Sequence, residues 1–297
     1  MIDPTDFSVL IASRGRARLL EEAVDAVLAG ERTPAEVVIV DQSADASERL
    51  RSAAERDQRI VYRHLPGRGV SVARNVAAGL ATRPYLAFID DDVLVTSDWL
   101  PRMAIAVGEA GERSAVSGRV RPGAPEVPGA FVPSIVDADE PATYRFGDGP
   151  GDVLFTGNAA LRASEFAEVG GFDERLGPGT RFPAAEDNDL GFRLLRAGWT
   201  IAYAPDAVVV HRAWRQAPSV VSVRFRYGRG QGGFYAKHLG VERRVMTRRF
   251  ERDVARMSRR GLRRILVERR GWLGVADLAY VVGLVSGVIE WTVRGWR

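Results

Sequence analysis

The chain has 297 residues and is 46% apolar, enough for one large domain or two modest ones around a buried core. It contains no cysteine, which excludes disulfides, thiolate metal sites and cysteine nucleophiles, and a multi-histidine zinc site would use nearly all of its three histidines. The net charge of +4 is unevenly placed: between Glu242 and Arg270 twelve arginines face four acids, which leaves the rest of the chain at −4.

The N-terminus, Met1 to Asp6, is acidic and lacks the basic flank and apolar core of a signal peptide, so a cytoplasmic location is expected. Ser8 to Ala12 is a largely apolar run, and Leu19 to Leu28 places its apolar residues at helical spacing, which predicts a strand and then a helix. Glu36 to Val40 is a second β-branched run ending in Asp41, and Asp45 to Arg56 suits a helix with Asp45 or Ser47 near its start. Ile60 to His64 reads as a strand, Val70 to Ala81 as a helix, and Tyr85 to Ile89 as a fourth strand. Strands alternating with helices in this way predict an α/β fold with a mostly parallel sheet covered on both faces.

Trp99 to Ala110 is predicted helical and Ala115 to Val120 extended. From Arg121 to Gly151 the chain is rich in Pro, Gly and Asp with no sustained period, and it is too long for an ordinary connection, so a functional or mobile loop is expected. Order returns at Val153 to Asn158, followed by a helix near Ser164 to Val169 and a Gly-rich turn at Gly170 to Asp173. A helix from Glu186 to Ala197 stops at Gly198, and a short strand from Ala207 to Val210 ends in His211.

Three consecutive carboxylates, Asp90, Asp91 and Asp92, stand at the end of the fourth strand. Packed together in an apolar setting, they require a compensating cation or a proton. A divalent ion of the oxygen-seeking class is the expected partner, because strand ends deliver such ligands to the crevice of an open α/β sheet. A solvated acidic turn is the alternative.

Eight segments in order, SVLIASRGR at Ser8–Arg16, VVIVDQS at Val37–Ser43, GVSVARN at Gly69–Asn75, IDDD at Ile89–Asp92, Gly157-Asn158, GGFD at Gly170–Asp173, EDNDLGFR at Glu186–Arg193 and Val210-His211, resemble the inverting family 2 glycosyltransferases with the GT-A fold. The resemblance spans roughly residues 7 to 212 and implies transfer of a sugar from a nucleotide-diphosphate sugar, with UDP favoured, to an acceptor hydroxyl, assisted by Mn2+ or Mg2+. It implies nucleotide-binding roles for Ser13, Arg14, Asp41, Arg74, Asn75 and Asp90, and metal ligation by Asp92 and His211. Asp187 is the implied general base, in place to take the acceptor proton as the leaving group departs on the opposite side. Asp91, Gly157, Asn158, Glu186, Asp189 and Arg193 are assigned to the donor or acceptor. The implied acceptor is a growing glycan, a lipid-linked sugar or a small molecule, in polysaccharide, glycolipid or other glycoconjugate synthesis of the cell envelope.

Asp90 to Asp92 at a strand end also suits a haloacid dehalogenase-like phosphatase. That chemistry needs a downstream lysine, and the only lysine is Lys237. A non-catalytic, membrane-associated scaffold is the third reading.

Residues 219–297 are expected to form a helical extension outside the catalytic domain of residues 1–218. Ser219 to Leu239 is a plausible helix weakened by four glycines, and Arg243 to Arg270 is a basic helix with an apolar face. Trp272 to Ile289 is largely apolar but contains Asp277, which makes it marginal for a membrane span. Peripheral contact with an anionic membrane surface is one reading of such a tail, and packing on protein or into a homodimer is the other. Nucleic acid is not expected as a partner, because no recognition motif accompanies the basic run.

Overall fold

The computed structural model describes residues 2–294, apart from 129, 133, 149–151 and 217–219. The chain forms two compact units, one of residues up to Phe172 together with Asp187–Trp214, the other of Asp173–Glu186 together with the chain from Arg215 onward.

The first unit is built on β1 (Phe7–Ser13), β2 (Glu36–Asp41), β3 (Ile60–His64) and β4 (Tyr85–Asp90). They pair in parallel in the order β3-β2-β1-β4. Successive residues of a strand face opposite sides, so the unbroken apolar runs feed two cores. Val9, Ile11, Val37 and Ile39 pack on one face with Leu20 and Val24 of α1 (Ala17–Leu28), Leu50 of α2 (Glu48–Arg56), and Trp99 and Met103 of α4 (Trp99–Ala110). Leu10, Val38, Val40 and Phe88 pack on the other with Ala73 and Ala77 of α3 (Val70–Leu80) and Leu190 and Leu194 of α6 (Glu186–Arg196). The α2 start is fixed by Ser47, whose side chain accepts from the Leu50 amide.

Beyond β4 the sheet continues with β5 (Val93–Val95), β6 (Ser114–Pro125), β8 (Ala142–Tyr144), β9 (Asn158–Arg162) and β10 (Thr200–Ala213), while β7 (Ala130–Phe131) lies off it and α5 (Ala163–Glu168) follows β9. β9 is antiparallel to both β4 and β6, β6 runs parallel to β10, and β5 and β8 are antiparallel to β10. This half differs from the sequence expectation. The stretch after Arg121 is not without structure: β6 runs on to Pro125, Val120 bridges Val136, and Ala142–Tyr144 pairs with Ile201–Tyr203, although residues 129, 133 and 149–151 lie outside the description. β9 begins at Asn158 and not in the apolar run before it, and β10 begins at Thr200 with a register break between Ala204 and Val208, where Pro205 can donate no ladder hydrogen bond.

The second unit contains the short strand β11 (Arg215–Gln216) and three helices, α7 (Val220–His238), α8 (Arg243–Leu266) and α9 (Gly271–Arg294). Ser219, expected to begin the first of these helices, and the terminal Trp296 and Arg297 lie outside the described residues. The glycines of α7 cost intrinsic helix propensity, but they let two helix backbones touch. A Cβ on Gly228 would lie 2.0 Å from the Tyr280 carbonyl oxygen and one on Gly232 2.1 Å from that of Leu284. Reciprocally, a Cβ on Gly283 would lie 2.1 Å from the Phe225 oxygen and one on Gly287 2.1 Å from that of Arg229. Asp277, the charge that interrupts the apolar run, is fully buried and accepts from Arg260 and Arg264 of α8. Leu176 and Phe182 of the 173–186 segment pack with Trp291.

Candidate active site

The C-terminal ends of β1, β2 and β4 bring carboxylates into one region, in the crevice position that open α/β sheets use for ligands. Ser13 is paired in register with Asp41, and Ala12 with Asp90.

Asp41 accepts from the Ser43 amide at 2.9 Å and from the Tyr62 hydroxyl at 2.7 Å. Burial first, and then the hydrogen bond to this carboxylate, push the Tyr62 phenol up to about 12, so it stays a donor across the physiological range. Arg14 is exposed on the loop after β1.

Asp91 is buried, accepts from Ser13 Oγ at 2.5 Å, and lies 2.8 Å from Arg16 Nη2. That second contact is an ion pair in distance without hydrogen-bond alignment, since Asp91 Oδ1 has no hydrogen-bond partner. Arg16 Nη1 donates to Asp92 Oδ2 at 2.8 Å, and Trp214 Nε1 donates to the same oxygen at 3.0 Å. The guanidinium also sits 5.6 Å from the Trp214 ring centroid. Burial raises the Asp91 pKa, Arg16 pulls it down, and Asp92 adds to the rise. The cation that the sequence argument demands for Asp91 and Asp92 is therefore present in the protein itself, as Arg16.

The other oxygen of Asp92 faces His211 Nε2 at 3.5 Å, while His211 Nδ1 lies 3.1 Å from the Ser134 carbonyl. A carbonyl can only accept, so Nδ1 carries a proton, and in the neutral ring Nε2 turns a lone pair toward a carboxylate. Nε2 is buried and has no hydrogen-bond partner. The pair therefore needs a proton or a cation between its atoms. Burial lowers the His211 pKa, and the Asp92 and Asp90 carboxylates overcome it, so the net direction is upward. Asp92 and His211 thus fit a divalent ion in donor type and in the orphaned nitrogen, with carbonyl-oriented imidazole behind it. No group of three or more His, Cys, Asp or Glu side chains suited to a metal occurs among the described residues, so two protein ligands are what this site offers.

A second cluster adjoins the first through Asp90. Arg74 of α3 donates from Nη2 to Asp90 at 2.7 Å and from Nη1 to Asp187 at 3.4 Å, and its guanidinium lies over the Phe172 ring at 5.3 Å. Asp187 also accepts from the Thr156 hydroxyl at 2.5 Å and the Thr156 amide at 3.2 Å. Burial raises the Asp187 pKa against the opposing pull of Arg74 and Thr156. A Cβ on Gly157 would come within 2.7 Å of Asp90 Oδ2 and 2.4 Å of the Phe155 ring, so glycine is required beside this carboxylate.

Other expected site residues belong to the scaffold. Asn75 Nδ2 donates to the Phe172 carbonyl at 3.0 Å and its Oδ1 accepts from the Phe172 amide at 2.9 Å, which ties α3 to the Gly170–Phe172 turn. Asn158 is fully buried, donates to the Arg119 and Ala207 carbonyls at 2.9 and 2.8 Å, and accepts from Trp99 Nε1 at 2.8 Å. Its amide is used inside the core. Asp189 is buried under Arg193, which donates to it at 2.8 Å and also holds the Val169 and Gly171 carbonyls. Glu186 is a buried residue at the start of α6. Lys237, the lysine that a phosphatase would need, pairs with Asp173 within the second unit at 2.7 Å, and Asp90 pairs with Arg74 at 2.7 Å. Arg16, Tyr62, Thr156 and Trp214 were not foreseen. Counting the carboxylates delivered to the strand ends would have signalled that nearby arginines must neutralise them.

The sequence model of Glycosyl transferase family 2 matches residues 8–166, more than half of the chain. The chain belongs to that family. Of curated relatives, the succinoglycan biosynthesis protein ExoM of Rhizobium meliloti is 30% identical over 224 residues, covering 70% of this chain and 67% of its own length. Against two mycobacterial relatives the chain spans 37% of their length. Among solved structures, the mannosyltransferase PcManGT of Pyrobaculum calidifontis, in complex with GDP-Man and Mn2+, superposes with a TM-score of 0.60 at 17% identity, covering 96% of this chain and 89% of that one. S. aureus TarS 1-349, in complex with UDP-GlcNAc, gives 0.58 at 14% identity, covering 96% and 91%. These neighbours share the fold, the GT-A fold of glycosyltransferases.

Proposed function

We propose that this family 2 glycosyltransferase is an inverting enzyme that moves a sugar from a nucleotide-diphosphate sugar, with UDP sugars favoured, to an acceptor hydroxyl. The observation that carries this reading is Arg74, held between Asp90 and Asp187 beside the Asp91 and Asp92 cluster. It joins a nucleotide-side carboxylate to a base candidate whose proton affinity is raised.

Asp187 takes the proton of the acceptor hydroxyl as the hydroxyl oxygen forms its bond to the sugar carbon and the nucleoside diphosphate leaves with the old bonding pair. Its raised pKa brings a carboxylate closer to working pH, where a base transfers protons with more driving force. Thr156 fixes the carboxylate's orientation through two donors. Asp41, with Ser43 and Tyr62, forms the wall suited to a base or ribose, and Arg14, exposed on the neighbouring loop, is available to the nucleotide. Asp92 and His211 would hold a manganese or magnesium ion, which supplies Lewis-acid stabilisation to the leaving diphosphate. The metal and nucleotide parts are supported by neighbours bound to GDP-Man with Mn2+ and to UDP-GlcNAc. An acceptor in polysaccharide or other glycoconjugate assembly, whether a growing glycan, a lipid-linked sugar or a small molecule, completes this reading, and the succinoglycan biosynthesis relative supports its polysaccharide part.

The test is a screen of UDP, GDP and dTDP sugars with manganese, magnesium or chelator, reading released nucleoside diphosphate, with calorimetry of the same nucleotides in parallel. Donor turnover that depends on the metal is expected. Equal nucleotide binding and turnover in chelator would defeat the metal assignment, and turnover of no nucleotide sugar would defeat the donor class.

A further inference from the structure

The second unit has an apolar face that its own packing leaves uncovered. Trp272, Val275, Val282, Val285, Ile289 and Val293 recur at intervals of three, four or seven residues along α9 and are exposed, Val282 at 61% and Val293 at 71%. Spacing of this kind puts them in one stripe. The opposite side of α9 is taken: Gly283 and Gly287 meet the α7 backbone, and Gly274 meets Gly261 of α8. Leu262, Leu266 and Val267, at and just after the end of α8, are exposed apolar residues as well, Leu266 at 75%.

The charge around this surface is one-sided. Arg259, Arg260, Arg263, Arg264 and Glu268 line a cleft of about 400 Å³ at the same end of α8. Arg260 and Arg264 are held by Asp277, and Arg263 by Glu268. Arg269 and Arg270 follow, both exposed. Positive charge therefore exceeds the carboxylates on hand. Burial, with Arg260 adding to it against Asp277, lowers the pKa of Arg224 on α7, the direction expected where cations crowd.

We infer that this unit docks on an anionic lipid bilayer, with α9 lying along the surface, its stripe in the interface, and the arginine cleft taking lipid phosphates. An exposed apolar stripe in a unit that carries excess arginine matches an acyl boundary beneath lipid phosphates. A second copy is a poorer occupant, because a two-fold contact through this face would bring arginines against arginines. Crossing the bilayer would suit the length and hydropathy of α9 but would strip Asp277 from Arg260 and Arg264 and leave a buried carboxylate unpaired in lipid. Docking of this unit stands independently of the donor, metal and base assignments above.

The test uses the full chain and vesicles of phosphatidylcholine, alone or with about one third phosphatidylglycerol, at about 0.1 M salt, where charges still act over roughly 10 Å. Co-sedimentation with the anionic vesicles only is expected, weakening as salt rises. Val282→Asp with Ile289→Asp should reduce vesicle affinity at least about tenfold, because a carboxylate must be desolvated where a side chain was to insert. Arg263→Glu with Arg269→Glu should cost roughly fivefold per arginine removed and more for the reversed charge. All four positions are exposed, so the variants should fold, and circular dichroism of each is the check. Unchanged binding of the Val282 and Ile289 variant overturns the proposal, as does absence of binding to anionic vesicles. Complete displacement by inorganic phosphate would reassign the cleft to a soluble anion. A dimer in light scattering that Val282→Asp dissociates would reassign the stripe to self-association. Resistance to both salt and alkaline carbonate would mean that α9 crosses.

Discussion

Asp92 in the sheet unit and Asp277 in the helical unit are both buried carboxylates held by arginine, and they differ in what is left over. Asp277 accepts from Arg260 and Arg264 on both of its oxygens. Asp92 accepts from Arg16 and Trp214 on one oxygen, while the other looks at a histidine nitrogen with no hydrogen-bond partner. The neighbouring Asp90 and Asp187 share one arginine, and their side chains keep 28% and 19% exposure where that of Asp277 has none. A structural ion pair closes its own valences. A chemical site holds carboxylates in place yet leaves atoms and surface for a ligand to complete.

The largest effect that bears on this contrast should come from Asp187→Asn. The amide keeps the shape but cannot take a proton, so turnover should fall by about a hundredfold to ten-thousandfold while nucleotide affinity and melting temperature change little. Rates within about twofold of wild type would remove Asp187 from the base role. Asp277→Ala should do the reverse. It leaves two arginines without their carboxylate, a loss of the class that costs about 3–5 kcal/mol, and the lower end is expected because Arg260 and Arg264 are partly exposed and can reach water. Thermal or denaturant unfolding reads this directly, and unaltered stability would show that the pair is dispensable.

A smaller loss is expected from Gly283→Ala, whose methyl would sit 2.1 Å from the Phe225 carbonyl oxygen. Overpacking of this kind costs about 1–3 kcal/mol. Gly240→Ala, with nothing within 4 Å of the added carbon, serves as the control and should stay within about 0.5 kcal/mol. Equal effects at the two positions would argue against close helix contact as the reason for glycine in α9.

These residues also mark where sequence reasoning reached its limit. β1, β2 and β4 were legible because strands buried on both faces write largely apolar runs, and their ends located Asp41 and Asp90 to Asp92. The rest of the sheet was legible only in part: Ala115–Val120 and Ala207–Val210 fall within β6 and β10, while the Pro- and Gly-containing end of β6, the three-residue β8, and the start of β10 before its register shift at Pro205 were not read. Asn158 and Asp189 sit among site-like neighbours, and only three-dimensional packing reveals that their polar atoms are consumed by the Trp99 indole and by Arg193. Arg16 was missed for a compositional reason: in a chain with 42 basic residues, a single arginine carries little information until a carboxylate is found beside it. The glycines of α7 read as helix breakers because their benefit appears only with the partner helix in place.

The finest distinction between the two kinds of carboxylate is a matter of pH. As the proposed base, Asp187 would act only when ionised, and burial has raised its pKa, so the acidic limb of kcat/KM should lie above the ordinary carboxylate range and activity should rise with pH through it. Thr156 opposes that rise by donating its hydroxyl to the ionised form. Thr156→Val keeps the side-chain volume and the backbone amide but removes this donor, which destabilises the carboxylate relative to the acid. A hydrogen bond to a charged group contributes about 1.5–3 kcal/mol and one pH unit corresponds to about 1.4 kcal/mol, so with the amide and Arg74 still in place the limb should move up by about one unit. Rates on the alkaline plateau should stay within about twofold, since the ionised base is the same group once formed. A purely structural threonine would lower the plateau and leave the limb in place. That outcome would assign the limb to another group and take the pH argument away from Asp187.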